Sequence, residues 1–445
     1  MAEVLHPEIR IKPPGPNAQK IIKQDEAFAS PSYIKEYPLV VERGQGPWVY
    51  DVDGNRYLDF MAGIAVASTG HSHPKVVQAI AESSQKFIHI CGTDFYYQPF
   101  ATLCERLASY LPEMGKKRVF LTNSGTEAVE GAIKLVRFHT RRPLLLAFQG
   151  AFHGRSTGAI ALTGSKSKYR AFFGPLMPGI YHAPYSNPFD CPYNRPAKEC
   201  EQDCNCVEKM QKSFQKVHDP KEVAAIFVEP VQGEGGYIFP AKKFLKDLRS
   251  FCDDNGILLV FDEIQSGVGR TGEMFAAGYY GVMPDIILSA KGLGSGMPIG
   301  AIIAKESVMT WTRGTHGSTY GGNPVCAAAA IATLEVVDAL LPHVRSVGEA
   351  MLAKLREIQS RNPIIADVRG SGMMIGVEFR DTKTKQPVPD FMGKLEQVAF
   401  LQGLLLLGCG ESTIRIAPPL VLTAAEAMVG LEIFEKCIRQ LENPN

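Results

Sequence analysis

Asp262 and Lys291 each stand just after a short apolar run, and no other placement in the chain carries as much chemistry. The run Ile257-Leu258-Leu259-Val260-Phe261 is apolar on both faces and too short for a buried helix, as a strand inside a covered parallel sheet must be. Asp285-Ile286-Ile287-Leu288-Ser289-Ala290 repeats the pattern and leads into Lys291 and the turn Gly292-Leu293-Gly294-Ser295-Gly296. Ligands of open α/β sheets sit outside the carboxyl ends of the strands, so this acid and this lysine are expected in one crevice.

Three more strand ends supply candidates. Val119-Phe120-Leu121-Thr122 is followed by Asn123-Ser124-Gly125-Thr126, which opens a helix with apolar stripes at 128, 132, 135 and 129, 133, 136. A strand, a small polar turn and a helix N-terminus make an anion site, because free N–H groups and the positive dipole end point the same way. An ordinary N-cap by Ser124 or Thr126 explains the same string equally well. Leu144-Leu145-Leu146-Ala147-Phe148 ends in GAFHGRSTG, where Phe152 offers an aromatic face and Arg155 a forked cation for a carboxylate; a structural arginine is the competing reading. Val223-Ala224-Ala225-Ile226-Phe227-Val228 ends in EPVQGEGG, whose Glu229 and Glu234 suggest a crevice wall, although paired structural acids give the same string.

The elements that hold these ends follow from periodicity and turn chemistry. Val40-Val41, Trp48-Val49-Tyr50 and residues 56–60, with Asp53-Gly54 before the last, predict a small antiparallel meander. His71-Ser72-His73-Pro74 reads as a turn starting a helix, the histidines capping or lining it rather than holding a metal. The alanine-rich run CAAAAIATLEVVDALL predicts a long helix that Pro342 interrupts, and the last hundred residues alternate strand and helix as a small α+β domain.

Bulk properties exclude several classes. Lys plus Arg (47) nearly cancel Asp plus Glu (46), so no global field draws the chain to nucleic acid or an acidic membrane, and small molecules are its expected partners. The opening MAEVLHPEIRIKPPGPN shows no leader pattern and no run of about 18 uninterrupted apolar residues is present, so a cytoplasmic location is expected. Six of the ten cysteines (91, 104, 252, 326, 409, 437) lie in apolar segments and read as reduced core residues. Cys191, Cys200, Cys204 and Cys206 fall in the polar stretch CPYNRPAKECEQDCNC, which reads as a surface insertion. Their spacing matches none of the common zinc or iron–sulfur patterns, which leaves metal binding open beside the simpler reading of unliganded or partly oxidised thiols.

From about Tyr37 onward the ordered motifs GIAVASTGHSHP, NSGTEAVEGAIK, GAFHGRS, EPVQGEGG, DEIQSGVGRTG and SAKGLGSGMPIG closely resemble those of the class III pyridoxal-phosphate aminotransferases of fold type I, the group of the 4-aminobutyrate, ornithine and acetylornithine enzymes. The resemblance implies an α/β large domain over residues 75–335, with a mostly parallel sheet covered by helices and a Cys-rich insertion at 188–210. Segments 1–74 and 336–445 would together form the smaller α+β domain. It implies that Lys291 carries pyridoxal 5'-phosphate as a Schiff base and that Asp262 pairs with the pyridine nitrogen. Ser124, Gly125 and Thr126 would hold the phosphate, Phe152, Ile264 and Gln265 the ring, and Thr319 would come from a second subunit, which makes the expected assembly a homodimer with shared sites.

For the substrate, the same resemblance implies Ile64, Arg155, Glu229, Glu234 and Arg415. Glu234 would screen Arg415 when a substrate has no distal carboxylate and release it when one is present, so that one site accepts an ω-amino or diamino acid and then 2-oxoglutarate in a ping-pong cycle. One position departs from the pattern: Thr93, in TDFYYQPF, stands where 4-aminobutyrate enzymes carry glutamine. Relatives with a similar TDFYY segment racemise amino acids, and both outcomes need Lys291 and Asp262. A catalytically silent binding protein is the third reading, disfavoured because every position that bears chemistry is filled.

Overall fold

The computed structural model describes residues 5–442, so the first four residues of the N-terminal arm lie outside the described residues. Strands β1 (Val41–Gln45), β2 (Trp48–Asp51) and β3 (Arg56–Asp59) form the antiparallel meander that the turn signal predicts. The turn is set by Asp51, whose carboxylate accepts from the Asp53 and Asn55 N–H groups at 3.0 and 2.8 Å, and by Gly54 at φ +87°, a conformation in which glycine has no steric penalty. Asp53 in turn accepts from the first N–H groups of the helix Pro16–Phe28, tying the arm to the body.

The central sheet is built from β4 (Lys117–Thr122), β5 (Leu144–Phe148), β6 (Ile180–Ala183), β7 (Val223–Val228), β8 (Leu258–Asp262), β9 (Ile286–Ser289) and β10 (Gly300–Lys305). Their order across the sheet is β4-β10-β9-β8-β7-β5-β6, and only β10 runs antiparallel to its neighbours. Helices cover both faces, which is why β7 is buried at every position. On one face the helix Gly125–Thr140 packs Ala128, Val129, Ala132 and Val136 against Leu145, Phe227 and Leu288; on the other, Phe244, Leu245 and Leu248 of the helix Lys242–Asn255 join Phe148, Ile226 and Phe261. Each such valine, leucine, isoleucine or phenylalanine, fully withdrawn from water, contributes about 1.5–3 kcal/mol before entropy is counted.

The C-terminal strands β11 (Ile365–Ser371), β12 (Met374–Phe379), β14 (Leu407–Cys409) and β15 (Thr413–Ile416) form an antiparallel sheet, while β13 (Leu404–Leu405) leaves it to pair in parallel with β3. The two ends of the chain thus share one small sheet beside the large one.

Two features differ from the sequence reading. The alanine-rich helix is not interrupted at Pro342 but runs from Pro324 to Arg361, because Ala330 and Leu334 before the proline and Val344, Val347 and Met351 after it bury against one core. It is long and apolar enough to cross a bilayer, yet it is a core element here, packed on the helix Pro74–Ser84 through Ala329, Ala332 and Val76. Most polar residues of the Cys-rich stretch are exposed, as expected of a surface insertion, but all four of its thiol residues are buried. The helix Cys206–Phe214 anchors the stretch, its Cys206, Val207, Met210 and Phe214 forming one apolar stripe in the main core.

Candidate active site

Because β8 and β9 are parallel neighbours, with Asp262 opposite Leu288, their ends bring Asp262 and Lys291 to one side of the sheet. The ends of β4, β5 and β7 open on the same side, and a cavity of about 430 Å³ lies among them. Ser124, Gly125, Thr126, Phe152, Arg155, Glu229, Asp262, Ile264, Gln265 and Lys291 all line it.

The wall from β4 is a capping box. Ser124 accepts from the Glu127 N–H at 3.3 Å, and Glu127 reaches back to accept from the Asn123 N–H at 2.9 Å, which fixes the start of the helix Gly125–Thr140 beside the cavity. Thr126 Oγ1 is 2.7 Å from Ser156 Oγ. A side chain at Gly125 would stand 2.8 Å from Ile264, so glycine lets the helix start lie against the strand-end loop.

Asp262 Oδ1 accepts from the Ile264 N–H at 3.1 Å, and Oδ2 lies 2.7 Å from His153 Nδ1. His153 went unread in the sequence because a histidine between Phe152 and Gly154 shows no spacing signal. Burial alone would lower its pKa; the hydrogen bond and charge of Asp262, with the charge of Glu229, overcome this and raise it. Because a carboxylate only accepts, this contact is made with the proton on Nδ1. Glu229 accepts from the Phe152 and Gly233 N–H groups at 2.8 and 2.9 Å, and burial pushes it up to about 7.

Lys291 has φ +44°, in the left-handed region where a non-glycine residue costs about 1–2 kcal/mol, and such strain collects at functional sites. Burial lowers its pKa, against the charge of Glu234 and with that of Arg415. Those two residues do not line the cavity themselves but form an ion pair of 2.7 Å next to it. Arg415 is 3% exposed and also donates to the Gly408 carbonyl at 2.8 Å, while its Nη1 is buried without a partner. Ile64 and Thr319 are exposed and lie outside this cavity. Ile64 belongs to the run Ala62–Ala65, in which every residue has positive φ.

A family model described as aminotransferase class-III matches residues 30–438. The chain belongs to this family. It is a transaminase dependent on pyridoxal 5'-phosphate, with the α/β architecture of fold type I. Over 98% of its length the aminotransferase is 40% identical to an alanine/serine racemase of Pyrococcus horikoshii, covering 93% of that protein. It is 37% identical to the 4-aminobutyrate aminotransferase GabT of Escherichia coli, over 95% of its own chain and 98% of the relative. An amine transaminase from an uncultivated Pseudomonas species, solved in its PLP-bound form, superposes with a TM-score of 0.86 at 29% identity, over 93% of this chain and 97% of that one.

The residues present fit this cofactor. A helix N-terminus meets the cavity at Gly125, an acid and a lysine face it from adjacent strands, and Gln265 Oε1 is a buried acceptor that no group among the described residues satisfies.

Proposed function

We propose that the enzyme moves an amino group from an ω-amino or diamino acid to 2-oxoglutarate in a ping-pong cycle, with Lys291 as the residue that carries the cofactor as a Schiff base. The observation that carries this reading is the meeting of Asp262, Lys291 and a helix N-terminus at one cavity, beside the Glu234–Arg415 pair. When bound, the cofactor supplies an electron-withdrawing ring that accepts the charge released at the substrate Cα.

The protein does the rest. N–H groups of Gly125 and Thr126, with Ser124, would hold the phosphate at the positive end of the helix. Asp262, oriented by His153 and the Ile264 N–H, would pair with the pyridine nitrogen and hold a proton on it. Phe152 and Ile264, which line the cavity, would enclose the ring, and the Gln265 side-chain amide would donate to its 3′ oxygen. Once the substrate amine has taken its place on the cofactor, Lys291 Nζ, its pKa lowered by burial, would be free to take the proton from Cα and deliver it two bonds away, to the carbon that Nζ had held. Arg155 binds the carboxylate common to both substrates, and Ile64 and Glu229 border the space where the substrate chain lies. Glu234 neutralises Arg415 until the second carboxylate of 2-oxoglutarate, which the ω-amino donor lacks, displaces it, and this lets one site take two unlike partners. Thr319, exposed on its own subunit, completes the phosphate site of a second copy, so the enzyme works as a homodimer in the cytoplasm.

The test is to incubate the enzyme with 2-oxoglutarate and single amines or single-enantiomer amino acids, following glutamate formation and optical inversion together. Glutamate formed in step with loss of an ω-amine supports transamination. A second reading, racemisation, is favoured by the similarity to the Pyrococcus horikoshii protein. Inversion that needs no keto acid, without glutamate formation, would establish it instead.

A further inference from the structure

We propose that Cys191, Cys200, Cys204 and Cys206 form a tetrathiolate site for one zinc ion, which fastens the segment 188–210 to the large domain. The Sγ atoms of Cys200, Cys204 and Cys206 all lie within 4.8 Å of one another, and the Cys191 thiol neighbours that of Cys200. All four residues are buried. A tetrahedral zinc with Zn–S of about 2.3 Å sets its sulfurs roughly 3.8 Å apart, so three thiols this close need only small side-chain movements to take a single ion. A cluster of several irons would hold its cysteines farther apart than this.

The surroundings agree with a bound ion. The helix Ala197–Gln202, which carries Cys200, is six residues long and buries only that cysteine, so it has almost no apolar surface with which to hold its place. What a hydrophobic core would do for such a segment, a metal does in small domains of this kind. Lys243, on the helix Lys242–Asn255 that leads to β8, donates to the Cys204 carbonyl at 3.2 Å, and the buried Ser186 Oγ lies 3.6 Å from Cys204 Sγ. Arg195 donates to the Asp203 carbonyl beside the cluster. Lys243 and Arg195 thus offset part of the excess negative charge of four thiolates around a divalent ion, although Lys243 also pairs with Asp247 at 2.6 Å. On binding, each ligand sulfur yields its proton to solvent and forms a bond to the metal, with no change of oxidation state. The sequence spacing hides the site because two of its ligands flank one residue and the other two are reached only by the turn of the chain.

The site is tested on the full-length holoenzyme, purified in reductant without added metal. Elemental analysis should find about one zinc per chain, released in step with modification of the thiols by a mercurial. Replacing the ion with cobalt(II) should give the intense thiolate charge-transfer and tetrahedral ligand-field bands of a four-sulfur site. Cys200→Ser should bind at least ten-fold less zinc, while Cys104→Ser, outside the cluster, should keep it. Should Cys200→Ser fail to fold, the cobalt spectrum of the unmodified protein still decides. Protein that holds less than about a tenth of a zinc per chain and takes up no added zinc or cobalt would overturn the proposal. So would iron in place of zinc, or cysteine pairs found oxidised by mass in protein purified in reductant.

Discussion

His153 Nδ1 lies 2.7 Å from Asp262 Oδ2, with both side chains withdrawn from water. An aspartate meant to hold a proton on a ligand must itself keep one orientation, and a buried ring anchored by its own backbone does this. The His153 N–H donates to Thr163 Oγ1 at 3.0 Å. His153→Phe should therefore lower kcat about 10- to 100-fold, as loss of an orienting partner does at metal sites, with KM for the amine little changed. His153→Asn, whose side-chain N–H can stand in for Nδ1–H, should recover part of the loss. Steady-state kinetics of both variants check this, and an unchanged kcat in His153→Phe would remove the positioning role.

Glu234 and Arg415 should act as a gate for the second carboxylate of the keto acid. In Glu234→Gln the buried guanidinium loses its neutralising charge. KM for a donor with a single carboxylate should rise about ten-fold, equivalent to about 1.4 kcal/mol, while KM for 2-oxoglutarate stays equal or falls. Equal changes for both substrates would show that the pair is structural.

Arg155 is exposed and has cation–π contact with Tyr169 at 4.7 Å. Arg155→Ala should lower kcat/KM for carboxylate substrates by roughly 1.5–3 kcal/mol, the range of a lost hydrogen bond to a charged group, with the melting temperature unchanged. An unaltered kcat/KM would return this arginine to the protein surface.

Much of this site was legible because strands apolar on both faces announce a covered parallel sheet, and the residues just past each parallel strand then lie at one edge. Asp262, Lys291, Glu229 and the Ser124 turn were readable in that way. Glu234 and Arg415 meet only through the pairing of β12, β14 and β15, so residue types alone could not join them; the family resemblance did. His153 gave no periodic signal. The four clustered cysteines misled because their neighbours are polar, yet the stripe Cys206, Val207, Met210 and Phe214 is helical spacing and signalled burial. Pro342 misled in the opposite direction: packing on both sides outweighs one lost backbone bond.

Glu263, one residue beyond Asp262, faces away from the cavity and accepts from the Ala276 and Ala277 N–H groups at 2.6 and 2.8 Å. Burial pushes its pKa up to about 7 from 4.5. The folded state therefore holds a proton there that the unfolded chain has lost, and this contribution to stability is fully present below about pH 4.5 and is lost as pH rises through about 7. Glu263→Gln removes the titration and adds only a constant offset. The stability of the natural protein relative to this variant should fall by on the order of 2–3 kcal/mol across that window, read from thermal midpoints of both. A difference that does not vary with pH would contradict the assignment.

Every role assigned to the site depends on Lys291 being the residue bonded to the cofactor, and reduction with borohydride is the sharpest test of that bond. Reduction fixes the linkage, and peptide mass spectrometry then locates the pyridoxyl group. One modified lysine per chain is expected, Lys291, with Lys291→Ala giving no adduct and no amino transfer. An adduct on another lysine, or amino transfer at the normal rate by Lys291→Ala, would contradict the assignment.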